Sequence, residues 1–335
     1  MAIADVTVMG AGIFGLSVAY ACVLRGAKVR VIDPGGVAAG ASGGVVGALA
    51  PHVPENWNPK KAFQLDSLLM AEDFWAGVAT KAGLPTGYAR SGRLQPLADD
   101  RAVAHARRRA MTALDHWGDD ATWDVIPAQG APWEPHSPTG LLIHDTLSAL
   151  IHPRRATTAL AAAVKAQGGE IGAEGATEGQ VVWATGWQGL DGGLGNGVKG
   201  QAALLEYDAR GAPQLFADSL HIIPHGDGTV AVGSTSERDF VDACSTDATL
   251  EDVITRARAA MPVLADAPVI ARWAGVRPRA KSRAPLLGHH PLHPGQFIAN
   301  GGFKIGFGMA PKVGEVMADL VLEGRDTIPD GFSVA

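Results

Sequence analysis

Cysteine is almost absent from this chain, and so are dense clusters of basic residues. Two cysteines in 335 residues cannot build a disulfide framework, and neither belongs to a CxxC pair, so the composition suits a reducing compartment. Lys and Arg total 28 against 34 Asp and Glu, and the only dense basic run is Arg107–Arg109. Broad nucleic-acid binding needs clustered Lys and Arg to displace counterions from phosphates. We therefore expect no nucleic-acid partner, and we interpret the Arg run as a solvated helix face.

The sequence also lacks the pattern of a targeting or membrane-spanning segment. Its first ten residues have no basic region and place Asp5 inside the first apolar run, unlike a signal peptide. Residues 34–54 are uncharged, but six glycines and three prolines there exclude a continuous lipid-facing helix. Because 47% of the residues are hydrophobic and 19% are charged, a disordered or fibrous chain is also excluded. We expect a globular, cytoplasmic protein without a membrane span.

Glycine, by contrast, is abundant, with 43 residues where average usage of about 7% would give roughly 23. The first group of glycines lies in a segment whose pattern predicts a strand, a GxGxxG turn, a helix, a second strand and an acidic residue. In that order these are Val6–Met9, Gly10–Gly15, residues 14–25, Val29–Ile32 and Asp33. This order is typical of the βαβ unit that binds dinucleotides.

Each glycine of the GxGxxG turn has a physical role in dinucleotide binding. Gly10 permits the tight turn, Gly12 lets the backbone approach a pyrophosphate, and Gly15 allows the helix to pack closely on the strand. The helix N-terminus would face the phosphates, and Asp33 would accept a hydrogen bond from a ribose hydroxyl. The unit by itself does not distinguish NAD from FAD.

The second group of glycines, in residues 35–47, favours FAD. This stretch has no helix cap and no charged face, so we expect extended backbone along a long, flat ligand. Ala41, Ser42 and Gly47 match an Ala-Ser-x-x-x-x-Gly loop. Here the sequence resembles the D-amino-acid oxidase superfamily of FAD-dependent oxidoreductases, with its glycine oxidase-like and sarcosine oxidase-like members. In that family this loop crosses the pyrophosphate and reaches the flavin ring.

Six further segments resemble motifs of the same family, and they occur in the same order along the chain. One of them contains Asp227–Gly228 between two β-branched runs, which independently predicts a hairpin. The six segments are Val181–Trp187, Lys199–Gln201, His221–Thr235, Trp273–Pro278, Pro285–Gly288 and Asn300–Pro311.

The resemblance implies an α/β protein in which a Rossmann-type FAD-binding domain is interleaved with an α+β substrate domain built on an antiparallel sheet. The FAD-binding domain would comprise 1–85, 150–200 and 270–335, and the substrate domain 86–149 and 201–269. Hydrophobic patterns predict further elements within these ranges. They are strands at Arg93–Leu97 and Ala202–Tyr207, helices at Arg101–Trp117, Pro153–Gln167, Leu250–Met261 and Lys312–Leu322, and a flexible loop at Gly189–Gly197.

The resemblance also implies FAD as a non-covalent cofactor, since no cysteine lies near the segment where related proteins attach the flavin. We expect no bound metal, because the histidines at 289, 290 and 293 have no neighbouring Cys or carboxylate cluster. The residues expected to contact FAD are Gly10, Gly12, Ile13, Phe14, Gly15, Asp33, Ala41, Ser42, Gly43, Gly47, Ala48, Thr185, Gly186, Arg277, Gly301, Gly302, Phe303, Lys304 and Ile305.

The implied reaction oxidises a small amino acid or secondary amine to an imine by hydride transfer to flavin N5, followed by hydrolysis. Oxygen or an electron carrier would reoxidise the flavin. Arg277 is the candidate anchor for a substrate carboxylate, because a guanidinium pairs with it in a planar fork. Lys304 would place positive charge near N1–C2=O of the flavin. His221 and His52 are candidates to hold the substrate amine or water.

The chain departs from the family pattern at several places. Asp33 stands where Glu is commoner, His221 replaces a Tyr, and Gly302–Lys304 replaces an H-x-R motif. Only Glu170–Gln180 occupies the region where the family usually has a longer hairpin on the adenine side. Two alternatives stay open: the flavin module of an enzyme that modifies tRNA methylaminomethyl-uridine, which residues 41–51 also resemble, and a non-catalytic dinucleotide-binding protein. The substrate, its chirality and the oligomeric state are also open.

Overall fold

The computed structural model describes residues 3–333, so the outer ends of the predicted ranges 1–85 and 270–335 lie outside the described residues. The described part forms six α-helices: α1 (Ile13–Leu24), α2 (Pro59–Ala82), α3 (Asp100–Trp117), α4 (Pro153–Ala166), α5 (Ala248–Ala260) and α6 (Gly306–Glu323). The strands of its first half are β1 (Val6–Met9), β2 (Val29–Ile32), β3 (Ala48–Leu49), β4 (Arg93–Pro96), β5 (Trp123–Pro127), β6 (Leu141–Asp145), β7 (Ala149–Leu150) and β8 (Glu170–Gly172). Those of its second half are β9 (Gln180–Trp183), β10 (Gly195–Glu206), β11 (Gln214–Ala217), β12 (Leu220–Pro224), β13 (Thr229–Gly233), β14 (Val269–Ala280), β15 (Leu286–His289) and β16 (Phe297–Asn300).

A six-stranded sheet is built around β1, in the order β15-β16-β9-β1-β2-β8. Pairing is parallel from β16 to β8, and β15 adds an antiparallel edge. Val6 and Val8 are fully buried, as expected for strands of a parallel sheet covered by helices. α1 connects β1 to β2 and packs against α4 and α6. The predicted βαβ unit is confirmed, with the helix one residue earlier than expected.

An eight-stranded sheet forms the second layer, in the order β14-β10-β13-β12-β11-β4-β6-β5. All its pairs are antiparallel except β11 with β4. α5 packs on this sheet, and buried side chains such as Leu205, Ile222 and Ile254 form a core separate from that around β1. The predicted turn at Asp227–Gly228 joins β12 to β13. The fold class inferred from the sequence is confirmed.

The long strands β10 and β14 belong entirely to the eight-stranded sheet. They pair from Gly195 with Ala280 to Leu205 with Val269, with one irregularity between Leu204 and Leu205. Each strand therefore extends across a boundary predicted between the two domains, at residue 200 and at residue 270. The division of the chain into the two sets of ranges stays a prediction.

Three local predictions were wrong. α6 begins at Gly306 and includes Pro311, because burial of the residues around this proline offsets the hydrogen bond that its ring removes. The predicted loop Gly189–Gly197 instead starts in a 3₁₀ turn and ends in β10, whose residues gain a partner strand in β14. The stretch 35–47 is not wholly extended, since Ala41–Gly43 forms a 3₁₀ turn.

The carboxyl ends of the parallel strands meet at one edge of the six-stranded sheet. Gly10 follows β1, Asp33 follows β2, Ala184 follows β9 and Gly301 follows β16. In open α/β sheets, ligands bind in the crevice outside this edge. The fold therefore gathers most of the predicted cofactor-contacting residues in one place.

Candidate active site

The turn between β1 and α1 is packed tightly against neighbouring backbone. A Cβ on Gly10, where φ is +113°, would lie 2.3 Å from the carbonyl oxygen of Ala184, and one on Gly15 would lie 2.0 Å from that of Gly10. The packing of the protein itself therefore requires both glycines. At Gly12, where φ is −86°, a Cβ would meet only the Ser42 hydroxyl at 3.2 Å. Close approach of a ligand explains glycine at position 12 better than packing does.

The N-terminus of α1 is open towards this turn. Gly12 offers no side-chain cap, and the Ser42 hydroxyl of a distant loop accepts a hydrogen bond from the Ile13 amide at 2.9 Å. Phe14 is buried, and its ring faces Gly302 so closely that a Cβ there would lie 2.8 Å from Cζ. A helix N-terminus carries partial positive charge and free amides. This end of α1 fits the pyrophosphate of a dinucleotide.

Asp33 is held at the end of β2 by two backbone amides. Its Oδ2 accepts a hydrogen bond from the Ala11 amide at 2.8 Å, and its Oδ1 accepts one from the Gly35 amide at 2.9 Å. A carboxylate has about four acceptor positions, so both oxygens retain capacity for further donors. The arrangement is compatible with the predicted contact to a ribose hydroxyl, which stays a prediction.

The loop of residues 41–48 is fixed to the start of α4. The carbonyl oxygens of Ser42 and Gly43 accept hydrogen bonds from Thr157 Oγ1 at 3.2 Å and from Arg154 Nε at 3.1 Å. A Cβ on Gly47 would lie 2.0 Å from a neighbouring backbone carbonyl, and Ala48 pairs in β3 with β7. These bonds fix the position of the loop relative to α4.

The turn after β9 is tied to the end of β16 by one asparagine, Asn300. Its Nδ2 donates to the Gly186 carbonyl at 2.8 Å, and its Oδ1 accepts from the Gly301 amide at 2.8 Å. Thr185 precedes this turn, and its hydroxyl occupies the space that a side chain at Gly189 would need. The structure thus brings the predicted Thr185–Gly186 and Gly301 segments together at the sheet edge.

The segment from Gly302 to Ile305 lies against β14. The Phe303 amide donates to the Pro278 carbonyl at 2.9 Å, and the Ile305 amide donates to the Gly302 carbonyl at 2.9 Å. Phe303 has a φ of +42°, which is uncommon for a residue with a side chain. This backbone conformation places the Phe303 ring beside the basic residues of β14.

Arg277 is half-buried on β14, and its guanidinium contacts neutral protein groups. Nη1 donates to the Ser234 hydroxyl at 2.7 Å, and Nη2 donates to the Thr235 carbonyl at 2.6 Å and the Lys199 carbonyl at 3.2 Å. Nε is buried without a hydrogen-bond partner among residues 3–333. Burial lowers the pKa of Arg277 to about 10, which the charge of Glu237 opposes, so the group is cationic at neutral pH.

Three cationic groups surround the Phe303 ring. The Cζ atoms of Arg277 and Arg279 lie 5.6 and 5.7 Å from the ring centroid, and the Nζ of Lys304 lies at 5.9 Å. Cations at this distance over an aromatic face are attracted by its quadrupole. Within the described chain, none of the three is paired with an Asp or Glu. Burial and the charge of Arg277 lower the pKa of Lys304.

His221 lies on β12, with its ring 4.8 Å from that of Phe216. Burial, together with the charges of Arg93 and Lys304, lowers its pKa to about 3, so the imidazole is neutral at physiological pH. Its Nδ1 is buried and has no hydrogen-bond partner among the described residues. Arg93 itself pairs with buried Asp145 at 2.9 Å. The charge of Lys304 acts on His221, and the predicted role of both residues in one site stays a prediction.

His52 contacts α2 instead. Its amide donates to Gln64 Oε1 at 2.7 Å, and its Nδ1 lies within hydrogen-bond distance of the same oxygen. Burial and the charges of Lys60 and Lys61 lower its pKa. Gln64 also lies near the first turn of α6, since its Nε2 would be 4.0 Å from a Cβ on Gly308. The hydrogen-bonded partner of His52 is thus Gln64 of α2, and the predicted role of His52 at the substrate stays a prediction.

A pocket of about 480 Å³ opens beside Lys304, between β12, β13 and α5. Its lining includes Lys304, Ser234, Ser236, Thr249, Leu220 and Val253, but neither Arg277 nor His221. Since Ser234 is also the residue that accepts a hydrogen bond from Arg277, the pocket connects the surroundings of Arg277 with Lys304. Ligand pockets commonly measure 300–1,000 Å³. This pocket is our candidate for the substrate site.

Sequence reasoning missed the groups that hold the candidate residues. Ser234 and Thr235 follow β13, and nothing in their sequence pattern identifies them as partners of Arg277. Arg93 and its partner Asp145 are 52 residues apart in the sequence. Such pairs depend on long-range pairing of strands, here β4 with β6. The one available signal was the position of Arg93 in a predicted strand, where a buried arginine requires a carboxylate partner.

Among residues 3–333, no group of three or more His, Cys, Asp or Glu side chains is placed to hold a metal ion. Over the same range, no helix has the length and apolar character needed to cross a bilayer. Cys22 is buried in α1 and Cys244 is exposed, and both are free thiols.

Comparisons with known proteins agree with these features. The FAD dependent oxidoreductase (DAO) family matches residues 5–320. The glycine oxidase of Pseudomonas putida is 28% identical over 364 aligned positions, which cover 97% of this chain and 96% of the relative. That of Pseudomonas aeruginosa is 34% identical over 134 residues, 40% of this chain and 36% of the relative.

The crystal structure of glycine oxidase from Geobacillus kaustophilus superimposes with a TM-score of 0.87 at 21% identity, covering 99% of this chain and 98% of that one. The superposition supports the shared fold, and the family match supports FAD as the cofactor. The chain therefore belongs to the FAD dependent oxidoreductase family and is an FAD-dependent oxidoreductase.

Proposed function

We propose that this enzyme oxidises a small amino acid or secondary amine to the corresponding imine, which water then hydrolyses. The observation that carries the proposal is Arg277, a half-buried guanidinium that forms no ion pair with a carboxylate among residues 3–333 and whose partner Ser234 lines a pocket. Such a group favours an anionic ligand. The two relatives described above are glycine oxidases, which supports glycine and N-substituted glycines as the first substrates to test.

The chain offers suitable groups for each part of FAD. The GxGxxG turn and the α1 N-terminus would hold the pyrophosphate, and Asp33 would accept from a ribose hydroxyl. The loop around Ser42 and the segment Gly301–Ile305 would lie along the flavin side. When bound, FAD would supply an acceptor for the hydride of the amine-bearing carbon, and oxygen or an electron carrier would reoxidise it.

Arg277 would orient the substrate by binding its carboxylate. Its bond from Nη1 to the Ser234 hydroxyl can be exchanged for one to a carboxylate oxygen. A bidentate ion pair fixes both distance and direction, so it would hold the amine-bearing carbon at one place in the pocket.

His221 would contact the amine end. Because its pKa is lowered to about 3, the neutral ring has a nitrogen that can accept a hydrogen bond from the substrate. A neutral acceptor also avoids a second positive charge beside the substrate ammonium, which must lose a proton before oxidation.

The test is anaerobic reduction of the FAD-loaded enzyme. Glycine, sarcosine, and D- and L-amino acids are added separately, and the visible flavin absorbance is followed. We expect at least one of these amines to bleach the flavin and to yield an oxo acid together with ammonia or a primary amine. Absence of bleaching by the whole panel, in a preparation that dithionite reduces normally, would exclude amine oxidation.

A further inference from the structure

The guanidinium of Arg277 lies directly over the backbone of Gly200, on the neighbouring strand β10. A Cβ on Gly200 would lie 2.4 Å from Nη2, 2.6 Å from Cζ and 3.0 Å from Nη1 of this arginine. Apart from the adjacent residues, no atom among residues 3–333 would lie closer to that Cβ. Gly200 has no positive φ, so its backbone conformation does not require glycine. The missing side chain at position 200 therefore leaves room for the Arg277 head group.

Two backbone carbonyls fix one end of the guanidinium. Nη2 of Arg277 donates to the carbonyl of Thr235 at 2.6 Å and to that of Lys199 at 3.2 Å. Because Nη2 has two N–H groups, these bonds use both of them. Nη1 keeps the exchangeable bond to the Ser234 hydroxyl. The position of the head group therefore depends on where the chain holds the two carbonyls.

A fully buried glutamine, Gln201, joins the two segments that carry these carbonyls. Its backbone amide donates to Thr235 Oγ1 at 2.8 Å, and its Nε2 donates to Glu237 Oε1 at 3.1 Å. Glu237 and Lys199 in turn exchange two backbone hydrogen bonds, at 2.9 and 3.0 Å. Gln201 thus fixes the carbonyls of Thr235 and Lys199 relative to each other.

We propose that Gly200 and Gln201 are positioning residues, which hold the Arg277 guanidinium in the orientation that binds the substrate carboxylate. The proposal rests on the function proposed above, in which Arg277 binds that carboxylate. Gly200 provides the space for the head group, and Gln201 holds the segments that accept its hydrogen bonds. The affinity for a carboxylate then depends on two residues that carry no charge and do not touch the substrate.

Gln201 also helps to keep the carboxylate of Glu237 away from Arg277. Oε1 of Glu237 accepts hydrogen bonds from Gln201 and from the Thr235 hydroxyl, and its Oε2 lies 4.0 Å from the Nζ of Lys199. Within the described chain these groups engage Glu237, and the hydrogen bonds of Arg277 go to neutral groups. The guanidinium therefore stays available for a carboxylate from outside the protein.

The experiment compares a carboxylate ligand with its neutral amide on the FAD-loaded enzyme. Propionate and propionamide have nearly the same shape and lack an amine that could be oxidised. Dissociation constants are measured from the perturbation of the flavin absorbance. Gly200→Ala should fold, because its Cβ meets the end of one flexible side chain. We expect it to raise the dissociation constant of propionate about tenfold and that of propionamide about twofold or less, since only the carboxylate uses the guanidinium charge.

Gln201→Leu removes the side-chain hydrogen bonds and keeps a side chain of similar size. We expect the dissociation constant of propionate to rise roughly three- to tenfold. Asp247→Ala is the control, because it removes the N-cap of α5, whose first residues Gln201 also contacts, but leaves the bonds of Gln201 to Thr235 and Glu237. This variant should unfold at a lower temperature and bind propionate with wild-type affinity.

A double-mutant cycle shows whether the effect of Gly200→Ala passes through Arg277. Lysine has no planar head group to lie over residue 200, so in an Arg277→Lys background we expect Gly200→Ala to change propionate binding by about twofold or less. Gly226→Ala, in the turn between β12 and β13 with nothing within 4 Å of its added Cβ, is the glycine control and should bind as the wild type does. FAD content and thermal unfolding are measured for each variant.

The outcomes separate this proposal from the proposed function. If no amine reduces the flavin but Gly200→Ala still weakens propionate binding selectively, amine oxidation is excluded and the positioning roles stand. If Arg277→Lys weakens propionate binding but Gly200→Ala and Gln201→Leu do not, the positioning roles are refuted and the anchor stands. An equal loss of propionate and propionamide binding, or an equal effect of Gly200→Ala in both backgrounds, would also refute the positioning roles.

Discussion

The hydroxyl of Ser42 accepts a hydrogen bond from the Ile13 amide at 2.9 Å, across 29 residues of sequence. The residue at the N-cap position of α1, Gly12, has no side chain to do this. Ser42 therefore satisfies one of the free amides at the start of the helix. It does so at the place where we expect the pyrophosphate of FAD.

Replacement of Ser42 by alanine should destabilise the enzyme, because the buried Ile13 amide loses its partner. We expect a loss of about 1 kcal/mol in the free energy of unfolding, as for other N-cap deletions. The measurement is urea-induced unfolding of the FAD-free protein. Ser42→Thr keeps the hydroxyl and is the control. If both variants have the same urea midpoint as the wild type, the hydrogen bond from Ile13 to Ser42 does not contribute to the free energy of unfolding.

Two glycines of the same turn should respond differently to alanine. Gly10→Ala should prevent folding, because the Cβ would lie 2.3 Å from the Ala184 carbonyl oxygen at a φ of +113°. Gly12→Ala should leave the fold intact, since only the Ser42 hydroxyl lies near, at 3.2 Å. Its methyl group would instead obstruct the ligand.

We therefore expect Gly12→Ala to weaken FAD binding by about tenfold or more while circular dichroism stays unchanged. FAD affinity is measured by titration of the apoprotein with fluorescence detection. Gly226→Ala, in the turn between β12 and β13 with nothing within 4 Å of the added Cβ and no positive φ, serves as a control for the substitution itself. Wild-type FAD affinity in Gly12→Ala would contradict our explanation of this glycine.

The strands, the turn and the helix within the first 33 residues could be predicted because each depends on the sequence pattern of its own segment. The apolar strands, the three glycines and Asp33 each determine the conformation of their own neighbours, and the structure reproduces their order. Local patterns failed at Pro311, which breaks helices in isolation but is buried within α6. The cost of this proline is offset by packing that no short window of sequence reveals.

The surroundings of the candidate site residues were not predictable for the same reason. The motif containing Arg277 indicated an anchor, but not that Ser234 and Thr235 hold its guanidinium from 43 and 42 residues away. The convergence of Arg277 and Lys304 on Phe303 likewise depends on the pairing of the 301–305 segment with β14. These contacts arise from the sheet order and not from the sequence spacing.

A lysine at position 277 should not be able to perform the role of Arg277 in substrate binding. Arg277→Lys keeps a positive charge but loses the planar fork that can bind a carboxylate through two nitrogens. We expect kcat/KM for the best amine substrate to fall by about 30-fold or more, equivalent to at least roughly 2 kcal/mol. Anaerobic stopped-flow reduction of the flavin measures this change.

Ser234→Ala is the comparison for Arg277→Lys, because it removes only one partner of the guanidinium. The hydrogen bond from Nη1 at 2.7 Å orients Arg277, and loss of such a bond costs about 0.5–1.5 kcal/mol. We expect kcat/KM to fall by only about two- to tenfold. An Arg277→Lys enzyme with wild-type kcat/KM and full FAD content would remove Arg277 from the substrate site.

Acid should destabilise the folded enzyme through buried histidines, of which His152 at the start of α4 is the clearest. Its ring lies 4.6 Å from that of His225, and its Nδ1 has no partner among the described residues. Burial, followed by the charge of His225, lowers the pKa of His152 from about 6.5 to about 4. The unfolded chain therefore binds a proton between these two values and the folded protein does not.

Stability should consequently fall as the pH decreases below about 6.5, with this histidine contributing roughly 1.4 kcal/mol per pH unit until its folded-state pKa is reached. Between about pH 7 and pH 5 the contribution is about 2 kcal/mol. His152→Phe keeps an aromatic ring that does not titrate, so the variant should lose less stability over this interval. Urea unfolding at about pH 8, where the histidine is neutral in both states, measures the packing effect of the substitution separately. Equal losses in the wild type and the variant would show that protonation of His152 does not limit stability in acid.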